Sequence, residues 1–191
     1  MKQKDPDFVF LGNSAAVDFI NTEMVSRGEL VDLIKDDADL IRWTKEAGLA
    51  NEPTLTTGDL STAKTLRSAL KDLYHASVDR RSAGRGSLAT VNRHLANHAT
   101  HEVLRPGSSR GDFELVPDNT ASRVAALLAN LAYEGAVLLA SPQASRLKRC
   151  GNPECVLIFL DTSRSQKRRW CSMETCGNRA KVAKHYRRQT Q

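Results

Sequence analysis

No run of 18 or more apolar residues occurs in this 191-residue chain, so nothing in it reads as a membrane-spanning helix. The opening stretch Met1-Lys-Gln-Lys-Asp-Pro lacks the apolar segment of a secretory signal. Both absences point to a cytoplasmic protein with no membrane partner. The usual signatures of catalysis are missing as well. Gly84-Arg-Gly86 is too short for a phosphate loop and follows no strand, and there is no nucleophile elbow or Cys-His pair. His94, His98 and His101 are spaced His-x3-His-x2-His, but no metalloprotease-like carboxylate accompanies them, and Ala96, Asn97 and Thr100 offer no supporting shell. They read as surface histidines, and the chain does not read as an enzyme. Internal repeats and low-complexity tracts are also lacking.

A hydrophobic content of 40% is enough for a buried core, and the length suits one ordinary domain with a small appendage. Asp7 to Gly12 reads as a strand leading into a helix over 14–25, and Leu30 to Ile34 as a second short strand. Asp36 or Asp37 caps a helix through Ala47 that Gly48 ends, with Ile41 and Trp43 buried. Thr57 caps a long amphipathic helix to about Arg81, built on Ala63, Leu66, Leu70, Leu73 and Ser77. Ser87 opens a shorter helix to His98, and 101–105 with 112–116 form a hairpin. Thr120 caps a strong helix to Ala140, striped by Val124, Leu127, Leu128, Leu131, Gly135 and Leu138. An exposed face on it would hint at a homodimer. Ser141-Pro142 starts a short connecting helix.

All four cysteines fall within 27 residues, as Cys150-x4-Cys155 and Cys171-x4-Cys176. In a reducing compartment such clustering favours metal ligation over two disulfides or a redox switch. Two four-residue knuckles separated by a hairpin's length of chain suit a tetrahedral four-thiolate site, zinc by ligand type, although iron also occupies such sites. Val156 to Leu160 reads as one strand of that hairpin, Arg168 to Cys171 as the other, and a helix begins after Cys176. This is the plan of a treble clef, in which a closed coordination sphere makes one zinc ion structural. The fold class is therefore α+β and mostly helical. A multihelical N-terminal domain with a small hairpin (1–140) precedes a treble clef-like zinc finger (141–191).

Charge is concentrated at the same end of the chain. Residues 146–191 hold 12 Lys/Arg against three acids, a balance of +9, while the remainder holds 16 against 19, a balance of −3. Zinc with four thiolates lowers the module to about +7. On the terminal helix Val182, Ala183 and Tyr186 make an inward face, and Lys181, Lys184, His185 and Arg188 a positive stripe. Arg164, Lys167, Arg168 and Arg169 add a second basic element, and Arg179 and Arg187 complete the candidate nucleic-acid contacts. The alternative is an ordinary solvated face.

Cys176-Gly177-Asn178-Arg179, preceded by Phe159-Leu-Asp-Thr-Ser and Arg169-Trp-Cys-Ser-Met, resembles the CGNR zinc finger family. Leu11-Gly12 followed by Val17-Asp18-Phe19-Ile20-Asn21-Thr22 is similar to the ABATE domain, which precedes that finger in bacterial stress-induced transcription regulators. Asn13-Ser14 departs from the second glycine common there. The resemblance covers nearly the whole chain. It implies a DNA-binding finger with Cys150, Cys155, Cys171 and Cys176 as ligands, joined to a mostly helical domain that senses or binds something.

Asp18, Asn21 and Thr22 share one helix face and, with Arg67, are candidates for binding an unknown small-molecule effector, Arg67 being placed to pair with Asp18. The competing possibility is that they tether neighbouring backbone. Double-stranded DNA is the leading partner. RNA remains open, with Trp170 and Tyr186 as the candidate stacking residues, and so does a finger that binds only protein.

Overall fold

A computed structural model describes residues 7–49, 55–98, 102–109, 111–117 and 123–189. In chain order the elements are α1 (Ala15–Ile20), β1 (Glu23–Ser26), β2 (Glu29–Asp32), α2 (Asp37–Glu46), α3 (Asp59–Asp79) and α4 (Arg85–Ala96), followed by β3 (Glu102–Pro106), β4 (Phe113–Pro117) and α5 (Arg123–Ala140). A 3-10 turn (Pro142–Arg146), β5 (Leu147–Arg149), β6 (Ile158–Leu160), a π-helical turn (Met173–Gly177) and α6 (Asn178–Gln189) complete the chain. Among the described residues the strands form three separate antiparallel pairs, β1 with β2, β3 with β4 and β5 with β6. The fold is mostly helical, as expected.

The N-terminal hairpin differs from the expected arrangement. Residues 7–12 form no strand, and the helix expected over 14–25 stops at Ile20. The stop has a local cause: Arg27 and Gly28 both take positive φ (53° and 86°), the two-residue geometry that suits a tight hairpin, so Glu23 to Ser26 pairs with β2. Asn13 also lies at φ 60°, where asparagine is the best tolerated residue after glycine, and its Nδ2 donates to the Leu160 carbonyl at 2.8 Å. A glycine there could not make that bond.

Helix signals hold more closely. Asp36 caps α2 by accepting from the Asp39 amide at 2.9 Å, and Gly48 follows its end at φ 68°. α3 starts after Gly58, one residue beyond the expected Thr57 cap, and α4 starts after Gly84, ahead of Ser87. Ser141 caps the 3-10 turn as expected, with Pro142 inside it. The Thr120 cap lies outside the described residues.

α3 is the central element, packed by α1, α4 and α5. Leu66, Leu70 and Tyr74 are fully buried on it, against Leu128 and Leu131 of α5, and Phe19 of α1 meets Trp43 of α2 with ring centroids 5.0 Å apart. Burying each such side chain contributes roughly 1.5–3 kcal/mol. Gly135 brings α5 close to α3, since a Cβ there would lie 2.9 Å from Leu70 Cδ2. Leu147, Ile158 and Leu160 of β5 and β6 belong to this same core, so the cysteine-bearing segment is built into the helical body.

Candidate metal centre and basic surface

The first cysteine pair brackets a turn closed by Cys155 N–H donating to Asn152 O at 2.9 Å, and Cys150 N–H donates to Leu157 O at 2.9 Å, which carries the chain into β6. The second pair runs from the loop before the π-helical turn to its far side. There Ser172 Oγ accepts from the Thr175 amide, and Gly177 N–H donates to Ser172 O at 2.9 Å. Gly151 N–H joins the halves by donating to Arg169 O at 2.7 Å. A Cβ on Gly151 would sit 3.0 Å from that oxygen.

The four Sγ atoms of Cys150, Cys155, Cys171 and Cys176 all lie within 4.8 Å of one another, with 3.8 Å between Cys155 and Cys171 and 3.7 Å between Cys171 and Cys176. A tetrahedral ion with sulfur at about 2.3 Å requires edges of about 3.8 Å, so the donor set fits zinc. Cys171 N–H points at Cys150 Sγ (3.5 Å) and Asn152 Nδ2 at Cys176 Sγ (3.6 Å), donors of the kind that support metal-bound thiolates. Held this close, the thiols do not ionise together. Hydrogen bonds from Cys155 and Cys171 hold Cys150 well below the usual thiol range, and Cys155 is pushed up to about 12, first by its bond to Cys150. A divalent cation is what lets all four be thiolates. The chain carries one structural zinc at this site, whose four protein ligands close the coordination sphere.

The hairpin expected between the knuckles is not formed. β6 pairs with β5, which precedes Cys150, and residues 168–171 return without strand pairing. Asp161, read from sequence only as turn material, organises that return: it is fully buried and accepts from Ser163 N and Oγ, from Arg168 N and from Lys148 Nζ. Asp-Thr-Ser is Asx-turn chemistry, the signal that was available. The metal site is completed by Leu157, Phe159 and Trp170, with Val9, Leu11 and Met24 supplied by the N-terminal segments.

The candidate nucleic-acid residues divide into groups. Arg164, Lys167, Arg169, Arg179 and Lys181 are exposed. Arg168 is not available in the same way: its guanidinium donates to the Trp170 and Cys171 carbonyls and lies 4.5 Å from the Phe159 ring centroid, so it shapes the turn. The side chains of Lys184, His185, Arg187 and Arg188 lie outside the described atoms. The expected inward face of the terminal helix is not inward, since Val182 and Tyr186 are 54% and 65% exposed.

Asp18, Asn21, Thr22 and Arg67 are all buried, and each has an internal partner. Asp18 accepts from Gly12 N–H at 2.7 Å; burial pushes its carboxyl up to about 6 against the pull of the Gly12 and Leu11 amides, with Glu134 adding repulsion. Asn21 binds both sides of the Ile158 backbone, and Thr22 accepts from Arg67 at 2.7 Å. The expected Asp18–Arg67 pair is not formed. Arg67 instead forks onto Asp32 with two contacts of 2.7 Å and reaches Glu23 at 3.3 Å. Of the three histidines, His94 is buried rather than on the surface, His98 stacks on Tyr133, and His101 lies outside the described residues.

A closed four-thiolate site set into the end of a helical body defines a zinc-finger protein. The comparison with known families makes this specific: residues 13–142 match the ABATE family, described as "Putative stress-induced transcription regulator", and residues 146–189 match the CGNR zinc finger. The chain belongs to the ABATE family and ends in a CGNR zinc finger. Both are regulator and zinc-finger families rather than enzyme families. The chain has no match among curated proteins. Among the described residues no helix is long and apolar enough to cross a membrane.

Proposed function

We propose that the protein is a DNA-binding transcription regulator whose zinc module grips the phosphate backbone while the helical domain holds and orients it. One observation carries this reading: the segment from 146 to 191 has a balance of +9, and Arg164, Lys167, Arg169, Arg179 and Lys181 all stand exposed on it. Phosphate contacts from several surface cations position a protein on nucleic acid, and arginine or lysine side chains can also read guanine edges. The family description supports a regulator. Asn21, bonded to Ile158, and Asn13, bonded to Leu160, then link the helical domain to the finger, so a signal acting on the helical domain has a short path to it.

The test is binding of the zinc-loaded full-length chain to random-sequence duplex DNA across a salt series, beside an Arg179→Glu/Lys181→Glu variant. The expected result is affinity that falls with a slope of about −0.9 per phosphate contacted and is weakened at least tenfold in the variant. Absence of binding at low salt rejects this function. A protein partner is the second reading, favoured by Met173 and Val182, which are 53% and 54% exposed on the same module. It predicts a complex insensitive to salt.

A further inference from the structure

Where the carboxyl end of α3 meets the zinc module there is an open cleft of about 620 Å³, with Val78 on one side and residues of β5, the first knuckle and the returning turn on the other. Five of its eight lining residues are Lys or Arg (Lys148, Arg149, Lys167, Arg168 and Arg169), and none is acidic. Two of those cations are matched by carboxylates: Lys148 by buried Asp161 at 2.7 Å, and Arg149 by Asp79 at 2.6 and 3.0 Å. Arg168 gives its donors to carbonyl oxygens, which fix its direction without cancelling its charge. Lys167 and Arg169 are exposed and have no carboxylate partner among the described residues. The lining therefore keeps an excess of three positive charges. The helix end at Asp79, which by itself disfavours an anion, is followed at once by Arg80, while Arg81 beyond it is paired with Asp72 at 2.7 Å.

We propose that this cleft receives a backbone phosphate of the bound nucleic acid, so that the interface spans both domains, and that Asp79 competes with that phosphate for Arg149. This rests on the DNA-binding reading above. The Asp79–Arg149 pair is suited to exchange. Both side chains are about 40% exposed, so the pair holds weakly, and the arginine fork that accepts a carboxylate bidentately accepts a phosphate in the same way. A duplex seated on the exposed finger cations would thus be held at a second point, on the side of α3.

The experiment measures duplex affinity and its salt slope for the zinc-loaded full-length protein, Asp79→Asn and Lys167→Gln/Arg169→Gln, with inorganic phosphate titrated separately and each variant's melting checked. Asp79→Asn should tighten binding about two- to tenfold, because it frees Arg149. The double variant should weaken binding about tenfold and make the slope shallower by about 0.9, the worth of one phosphate contact. Because a folding defect cannot raise affinity, the Asp79→Asn arm stands even if the double variant is destabilised. A wild type that binds duplex while both variants stay within twofold of it overturns the cleft and leaves the DNA-binding reading intact. Inorganic phosphate binding that the double variant loses, with duplex affinity unmoved, assigns the cleft to a small anion and also overturns the proposal. A wild type that binds no duplex at all removes both.

Discussion

Asn21 of the N-terminal domain and Ile158 of β6 share two hydrogen bonds across 137 residues of sequence: Asn21 Nδ2 donates to Ile158 O at 2.8 Å, and Ile158 N–H donates to Asn21 Oδ1 at 3.1 Å. One amide side chain thereby serves as the missing strand neighbour for β6. Beside it, Gly12 O accepts from Leu160 N–H at 2.9 Å and Asn13 donates to Leu160 O, so the N-terminal turn extends the same edge. The finger's strand is held on this side by the ABATE domain and on the other by β5. These contacts make the finger's orientation a property of the helical body.

Asn21→Ala should therefore act on the finger as well as on α1. It leaves the buried Ile158 N–H and C=O without partners, at roughly 1–3 kcal/mol each, so a loss of about 2–6 kcal/mol is expected in chemical denaturation. Hydrogen exchange should report the damage in β6 and the first knuckle in addition to residues 15–22. Protection lost only around α1 would mean that the two-sided bond is not what holds β6.

The parts of this arrangement that sequence made legible were the local ones. Cysteine spacing marked the ligand set because the two pairs repeat one spacing, although their turns differ, and Asp36, Gly48 and Ser141-Pro142 marked helix ends because capping is settled within a few residues. Partner choice between distant segments was not legible. Arg67 was expected to pair with Asp18 from the opposite signs of their charges, but the side chain forks onto Asp32, whose position depends on a hairpin turn at Arg27-Gly28 that the pattern over 14–25 concealed. In the finger, an apolar run at 156–160 announced a strand without naming its partner, and the partner proved to be β5 rather than 168–171. The exposure of Val182 and Tyr186 has the same origin: apolar residues on a face of α6 do not say whether another element covers it.

Metal removal gives the next expectation. The compact group around the ligands is small, with Leu157 and Phe159 as its buried hydrophobics apart from the cysteines, and an ordered four-thiolate site contributes much of such a module's folding free energy. Chelation should unfold residues 150–177, seen as loss of exchange protection, while α3 and α5 keep theirs. Reloading zinc at neutral pH should release at least two protons, since cysteines of the unfolded segment are mostly protonated at neutral pH and bind the metal as thiolates. Zinc affinity should accordingly fall as pH is lowered, measured by competition with a chromogenic chelator. A Cys171→Ser variant should lose the high-affinity zinc site.

Two carboxylates, half-buried Asp32 and buried Asp18, give the body opposite responses to pH. Burial alone would raise Asp32, but its hydrogen bonds and charge interaction with Arg67, helped by Lys64, bring it down to about 2. Its folded value lies below the unfolded one, so its contribution is present above about pH 4 and is lost as pH falls from there toward 2. Asp18 runs the other way: burial, with Glu134 facing it from α5, lifts it to about 6, above its unfolded value. Its contribution is present below about pH 4 and is lost as pH rises through 6, a change of up to roughly 3 kcal/mol at 1.36 kcal/mol per unit. Asp18→Asn should therefore flatten the fall in stability between pH 4 and 6, whatever it does to the absolute value. Arg67→Leu should leave that fall in place while costing roughly 1–3 kcal/mol at neutral pH, because it removes the bidentate partner of half-buried Asp32 and leaves Lys64 and Lys71 as the cations beside Asp32 and Glu23. Denaturant midpoints measured from pH 3 to 8 on the three proteins decide it. A slope between pH 4 and 6 that survives in Asp18→Asn would place the titrating group elsewhere.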